Sequence, residues 1–115
     1  MSNTTETLTW SEFMKVDMRV GTIISANIFK EARNPAYQLV IDFGPLGTRK
    51  TSAQITKKYQ PERLIGKQVV AVVNFPPKQI ANFMSECLVL GGVEENNVVT
   101  LLEPGTSVAN GTRIG

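Results

Sequence analysis

The sequence predicts a small all-β domain with short helices, arranged as a five-stranded Greek-key barrel of the OB type. Three observations predict this fold class: runs of alternating apolar and polar residues recur along the chain, turn residues separate them, and a short helix is expected before the first run. The chain has 115 residues, of which 42% are hydrophobic, enough to fill one core. Other short β-rich domains would give a similar pattern.

The first helix is predicted by the TWSE motif at 9–12, where a hydroxyl residue is followed three positions later by a carboxylate. The helix is expected to be short, because the residues after it switch to period-2 alternation with Met18 and Val20 pointing inward. Gly21 is expected to allow a bulge or a sharp coil. The strand then continues over Thr22–Phe29.

Further strands and turns follow from the same alternation. In the first of these strands, Leu39, Ile41 and Phe43 share one face. Val69–Val73 is apolar on both faces, which predicts a central strand covered on its second face by the helix or by a partner subunit. Helical turns are expected at 57–59 and from Pro61. The predicted strands cover Tyr37–Phe43, Thr48–Ile55, Gln68–Asn74, Cys87–Leu90 and Val98–Leu102.

The residue types present exclude most catalytic chemistry. The chain has no histidine, which removes serine–histidine and cysteine–histidine dyads as well as histidine metal sites. The single cysteine, Cys87, can form neither an internal disulfide nor a thiolate zinc site. Glu94-Glu95 is typical of a solvated turn, and no glycine-rich phosphate loop is present. We therefore expect no enzyme, no cofactor and no metal.

Composition also predicts the domain organisation. We expect a flexible N-terminus over residues 1–7 and one domain over 8–115. No run approaches the roughly 20 apolar residues of a membrane span, and the polar start is not a signal peptide. No membrane insertion is expected, and the lone cysteine favours a reducing cytoplasm.

The charge is unevenly placed along the chain. The net charge is +2, but residues 15–78 carry +7, whereas residues 1–14 carry −2 and residues 79–115 carry −3. This distribution favours a basic face that attracts polyanions. An ordinary solvated surface is the alternative, because folding could mix these segments.

A polar strand face is the first candidate binding surface. Lys50, Ser52 and Gln54 alternate along one face, about 6.6 Å apart, and offer a cation, a hydroxyl and an amide. OB barrels commonly bind ligands across such a face. The alternative is an exposed edge strand kept soluble by its charge.

The segment 74–85 is the second candidate, since it places apolar side chains where a strand connection is usually polar. Phe75 and Ile80 are favoured as core residues, while Phe83 and Met84 offer an adaptable apolar contact for a peptide, a dimer seam or stacked bases. Asn74 and Ser85 at its two ends could instead tie the loop ends together through backbone hydrogen bonds.

These segments resemble a known family. DMRVGTI at 17–23, SAQIT at 52–56 and NFPPKQIANFMSECLVL at 74–90 are similar to the tRNA-binding-domain family, most closely to its small free-standing branch of export-related chaperones, CsaA. The resemblance runs from about 13 to 114 and includes Asn74, Pro77, Lys78, Ser85 and Glu86. Two departures favour the chaperone branch. Cys87-Leu88 replaces the glycine–methionine of tRNA-binding members, and a common glycine is missing around 81–83.

The resemblance implies an OB-fold homodimer, paired through Leu8–Met14 and Pro104–Ile114, in which Trp10 anchors the interface or caps the barrel. It implies binding of unfolded polypeptides or preproteins, with the secretion motor as partner and no nucleotide hydrolysis. The alternative is a tRNA-binding module that adds Arg49, Lys57 and Lys58. The candidate peptide- or tRNA-binding residues are Arg19, Lys50, Ser52, Gln54, Asn74, Phe75, Lys78, Phe83, Met84 and Ser85.

Overall fold

The computed structural model describes residues 6–115. Within this range, Gly44–Leu46 and Glu95–Asn97 form short 3₁₀ turns. The α-helices are α1 (Trp10–Met14) and α2 (Pro61–Leu64). The strands are β1 (Met18–Ile28), β2 (Tyr37–Asp42), β3 (Thr48–Ala53), β4 (Gln68–Val72), β5 (Lys78–Ile80), β6 (Phe83–Ser85), β7 (Leu88–Val89), β8 (Gly91–Glu94), β9 (Val98–Leu101) and β10 (Arg113–Ile114).

The capping box predicted at 9–12 starts α1. The Glu12 N–H donates to Thr9 Oγ1 at 3.2 Å, and the Thr9 N–H donates to Glu12 Oε1 at 3.1 Å. The Thr9 hydroxyl also donates to Glu12 Oε1 at 2.8 Å. This side-chain hydrogen bond, followed by the one from the Thr9 N–H, lowers the pKa of the Glu12 carboxyl. The cap fixes where the helix begins, because it satisfies backbone N–H groups that have no partner inside the helix.

The main sheet confirms the predicted fold class. Its antiparallel strands follow the order β3-β2-β1-β4-β7, with β10 paired to the start of β1. The two ends of this order meet, since the Glu86 N–H donates to Lys50 O at 2.8 Å and Thr51 Oγ1 donates to Cys87 O at 2.7 Å. The result is a nearly closed five-stranded barrel.

Strand alternation fills the barrel as predicted. Leu39, Ile41 and Phe43 are fully buried in one core cluster. Val69–Val73 is buried throughout. Both faces of this central segment are therefore covered within a single chain, so its composition does not call for a partner subunit.

Gly21 has a different role from the one predicted. The β1–β2 register shifts between Ile23 and Ser25, so the irregularity lies three residues after Gly21. Gly21 is needed for close packing, because a Cβ there would lie 2.6 Å from Ile41 Cγ2 and 2.7 Å from the Phe43 ring. The expected bulge at Gly21 is therefore wrong.

The predicted loop 74–85 is a β-hairpin. Strands β5 and β6 pair with Lys78 opposite Ser85 and Ile80 opposite Phe83, which leaves a two-residue turn. Ala81 in this turn has φ of +52°. The hairpin was not predicted, because position 81 lacks the glycine or asparagine that usually marks a turn residue with positive φ. Phe75 is 54% exposed on the approach to the hairpin, so its predicted place in the core is wrong.

The N-terminal residues that the structure describes lie before the first helix. Residues 1–5 of the predicted flexible segment 1–7 lie outside the described residues, and Glu6 and Thr7 have no regular secondary structure. Between residues 6 and 115, none of the helices has the length and apolar character needed to cross a membrane.

Candidate functional site

A groove of about 640 Å³ lies on the barrel surface, between the end of β3, the β5–β6 hairpin and the segment from β7 to β9. Strand alternation places it there: Thr51 and Ala53 are buried, while Ser52 between them is directed outward. The groove is lined by Ser52, Ala53, Gln54, Ile55, Phe75, Pro76, Lys78, Ile80, Ser85, Cys87, Leu88, Val89, Leu90, Gly91, Val93 and Val99.

Half of the ten predicted site residues line this groove, namely Ser52, Gln54, Phe75, Lys78 and Ser85. They come from separate parts of the sequence. Two belong to β3 or follow it directly, and three belong to the hairpin or to its approach. Barrel closure between β3 and the segment after β6 brings the two groups together.

The lining is mostly apolar, and part of it faces solvent. Phe75 is 54% exposed, Leu88 49% and Val93 67%. Large exposed apolar side chains gathered around a concavity are typical of a binding surface. Leu88 and Val93 were not among the predicted site residues. The available signal was a valine between the Gly91-Gly92 pair and the glutamates at 94 and 95, which were assigned to a solvated turn.

Lys50 and Phe83 continue this surface along the strands. The Lys50 Nζ lies 5.2 Å from the centroid of the Phe83 ring, which packs on Phe29 with ring centroids 5.4 Å apart. Phe83 is half-buried rather than sealed in the core. By alternation, Lys50 shares the face of Ser52, and Phe83 shares the face of Ser85. Neither lines the groove itself.

Ser85 closes the barrel with its hydroxyl group. The Ser52 N–H donates to Ser85 Oγ at 3.2 Å, and the Oγ atoms of Ser85 and Thr51 lie 3.0 Å apart. Ser85 is almost completely buried. Its hydrogen bonds therefore position the neighbouring groove wall.

Asn74 ties two elements together outside the groove. Its Oδ1 accepts a hydrogen bond from the Asp17 N–H at 3.0 Å, and its Nδ2 donates to Lys15 O at 2.6 Å. The end of β4 is thereby fixed to the connection between α1 and β1. Asn74 and Ser85 each bond to the barrel, so they do not join the two loop ends to each other as suggested.

The structure does not bring Arg19 or Met84 into the groove. The Arg19 Nε donates to Asp17 Oδ1 at 2.6 Å and its Nη1 to Gly111 O at 3.0 Å, so Arg19 holds the C-terminal segment on the barrel. The hydrogen bond from Arg19 lowers the pKa of Asp17. Met84 is exposed on the hairpin face opposite Phe83.

The basic residues added by the tRNA-binding alternative also make internal contacts. The Arg49 Nη1 donates to Val73 O at 3.0 Å. The ammonium groups of Lys57 and Lys58 bond to Asn96 O and Thr100 Oγ1, respectively, and so support the β8–β9 hairpin. None of these three cations lines the groove, whereas Lys78 does.

Cys87 lines the groove, but its thiol is unreactive at neutral pH. It is buried, and burial raises the pKa of its thiol to about 11. Thiolates, rather than thiols, are the reactive nucleophiles. At neutral pH this cysteine therefore contributes packing, and the groove is suited to reversible binding.

Comparisons with known proteins agree with this geometry. A family model described as a putative tRNA binding domain matches residues 18–113. Methionine–tRNA ligase from Methanococcoides burtonii is 36% identical over 107 residues, which are 93% of this chain and 16% of the ligase. The chain thus spans only a small part of the curated relatives it matches.

Three crystal structures are similar over nearly the whole chain. The chaperone CsaA from Bacillus anthracis str. Ames is 55% identical with a TM-score of 0.92, covering 96% of this chain and 100% of that one. The CsaA chaperone protein from Picrophilus torridus is 49% identical with a TM-score of 0.88, covering 95% and 100%. A protein from Pyrococcus horikoshii described as related to methionine–tRNA ligase is 29% identical with a TM-score of 0.86, covering 96% and 100%. The chain belongs to the tRNA-binding-domain family and stands close to the CsaA chaperones.

Proposed function

We propose that the chain binds unfolded polypeptides as a CsaA-type, export-related chaperone, without hydrolysing nucleotide. The observation that carries this proposal is the mostly apolar, partly exposed groove beside a polar strand face. Similarity to two CsaA chaperone structures at 55% and 49% identity supports it independently.

Each part of the groove has a distinct role in this proposal. The exposed side chains of Phe75, Leu88 and Val93 receive apolar side chains of the ligand. Ser52 and Gln54 offer a hydroxyl and an amide to its backbone. Binding of this kind is broad, because backbone groups occur in every peptide. It suits a protein that holds many unfolded chains and releases them unchanged.

The proposed working form is a homodimer. Trp10 is 82% exposed, and Leu8 and Met14 are also exposed on or beside α1. Trp10 therefore does not cap the barrel. Of the two roles that the resemblance implies for it, we propose that it anchors the dimer interface. A helix with this much apolar surface is suited to pack on a second copy through Leu8–Met14 and Pro104–Ile114.

The cellular setting in this proposal is the cytoplasm. Preproteins before translocation are the proposed ligands, and the secretion motor is the proposed partner. Support comes from the likeness to CsaA and from the composition of the chain, with its single buried cysteine.

tRNA binding is the second candidate, favoured by the family match over residues 18–113 and by the methionine–tRNA ligase relatives. It would use the cations Lys50 and Lys78 with Arg49, Lys57 and Lys58 to contact phosphates. Such binding weakens steeply as salt concentration rises, because bound counterions are released.

One pair of titrations separates these functions. Labelled tRNA and a labelled unfolded polypeptide are titrated with the protein at several ionic strengths, and each is then used to displace the other. The chaperone proposal expects polypeptide affinity to change little with salt. Tight tRNA binding with a steep salt dependence, not displaced by polypeptide, contradicts it. A structural subunit without either ligand would show binding in neither titration, and Lys50→Ala and Lys78→Ala would then have no effect on them.

A further inference from the structure

The groove lining carries charge of one sign only. Among residues 6–115, Lys78 is the only charged residue in the lining. Glu86 lies between two lining residues but is not part of the lining, and its carboxylate accepts a hydrogen bond from the Lys50 N–H at 2.9 Å. Glu94 follows Val93 on β8 and so faces the opposite side of that strand. A bound ligand therefore meets a cation with no carboxylate beside it.

The position of this cation is fixed by the hairpin. Lys78 begins β5 opposite the buried Ser85, which anchors the pair to the barrel. In the described part of the chain Lys78 forms no salt bridge, so its ammonium remains available to a ligand. Lys50 is not part of the lining, and the Glu86 carboxylate is hydrogen-bonded to its backbone N–H, so Lys78 is the cation that the groove itself presents.

The remaining lining defines what else the ligand must carry. Phe75, Leu88 and Val93 present apolar surface to solvent. The volume of about 640 Å³ falls within the range of roughly 300–1,000 Å³ that is usual for small-ligand sites. It has room for a few side chains rather than for a folded domain. The complementary ligand thus combines a short apolar stretch with a negative charge at one end.

We propose that the groove selects short apolar polypeptide segments with an adjacent carboxylate, and that it disfavours apolar segments flanked by lysine or arginine. This inference rests on the proposed polypeptide binding and adds the class of segment that is bound. An apolar stretch preceded by basic residues, as in a secretory signal peptide, meets repulsion at Lys78. The groove is therefore suited to acidic-flanked apolar segments elsewhere in an unfolded chain.

Three peptides test this selection directly. They share one apolar core and a neutral dye, and their flanking residues are glutamate, glutamine or lysine. Fluorescence anisotropy measures each dissociation constant at low and at high salt. We expect the glutamate peptide to bind about threefold tighter than the glutamine peptide, and the lysine peptide about threefold weaker, as for partly exposed charge pairs. The differences should shrink as salt screens the charges.

A matched pair of variants assigns the effect to Lys78. Lys78→Gln should make the three peptides bind alike, whereas Arg63→Gln should preserve the preference. Arg63 is a suitable control, because it is an exposed cation lining a different cavity, formed near α2 and residues 103–107. Circular dichroism confirms that both variants are folded.

The other outcomes separate the two levels of the proposal. If the lysine peptide binds as tightly as the glutamate peptide, while Val93→Ser weakens all three, polypeptide binding stands and charge selection is overturned. If none of the peptides binds, the proposed function itself fails. If a single-stranded RNA displaces the glutamate peptide with higher affinity, and Lys78→Gln weakens that RNA, the preferred anion is phosphate and carboxylate selection is overturned.

Discussion

The ammonium of Lys50 lies 5.2 Å from the centroid of the Phe83 ring, although 32 residues separate the two in the sequence. One side chain projects from β3 and the other from the second strand of the β5–β6 hairpin. Because Phe83 also packs on the buried Phe29, the pair fastens the hairpin to the barrel. The wall of the groove is therefore held in place by a cation and an aromatic ring.

This contact predicts an energetic coupling between the two residues. Lys50→Met and Phe83→Leu keep apolar contacts but remove the cation and the ring, respectively. In a double-mutant cycle, we expect a coupling of about 0.5–1 kcal/mol in the free energy of unfolding, as for partly exposed cation–π pairs. Urea denaturation of the four proteins measures it. Strictly additive effects would show that the two side chains do not stabilise each other.

The hairpin turn predicts a stabilising substitution. Ala81 has φ of +52°, a conformation that costs non-glycine residues roughly 1–2 kcal/mol. Ala81→Gly relieves this cost but also makes the unfolded chain more flexible, so the net gain should be about 0.5 kcal/mol. Asn82→Gly is the control, because position 82 is not among those with positive φ, and it should destabilise. Thermal unfolding measures the change in stability of both variants. A loss of stability in Ala81→Gly would contradict the account.

Burial of Cys87 predicts slow thiol chemistry. Its pKa of about 11 means that about one molecule in a thousand carries the thiolate at pH 8. Alkylation by iodoacetamide should therefore be slow in the folded protein and rapid in denaturant. The unfolded state releases this proton at lower pH, so the thiol's contribution to stability is lost as pH rises from about 9 towards 11. Equal alkylation rates in the folded and denatured protein would contradict the burial.

The exposed Trp10 predicts a concentration-dependent signal. It is the only tryptophan in the chain, so its fluorescence reports on α1 alone. If α1 forms the dimer interface, emission should shift to longer wavelength when the protein is diluted into monomers, while Trp10→Ala should sediment as a monomer at concentrations where the wild type is dimeric. Lys15→Gln, an exposed change just after α1, is the control for sedimentation. A tryptophan that emits as if in water at every concentration contradicts this interface.

Much of the barrel could be predicted because local patterns determined it. Alternation in β2 identified Leu39, Ile41 and Phe43 as core, and the capping box located α1. The hairpin could not be predicted, since its strands have three residues each and its turn uses Ala81 at positive φ without a glycine. Without a turn signal, apolar residues in this segment resembled an irregular loop.

The site was predictable only in part, for a different reason. Ser52, Gln54 and Lys78 were identified from their residue types, but the far wall of the groove depends on which strands meet at barrel closure. Residue type gave the wrong prediction for Arg19. Its guanidinium does not line the groove but donates a hydrogen bond to Gly111 O within the chain. Composition indicates which side chains are able to bind a ligand, whereas only the folded barrel determines which of them converge.

The most direct test of the groove is to map binding residue by residue. Backbone amide NMR spectra of the protein are recorded during titration with an unfolded polypeptide, and shift changes are assigned along the chain. The account predicts that the largest changes fall at Gln54, Lys78, Leu88 and Val93, on both walls of the groove. Changes confined to the cavity at Arg63 and Lys67, with the groove residues unmoved, would contradict it.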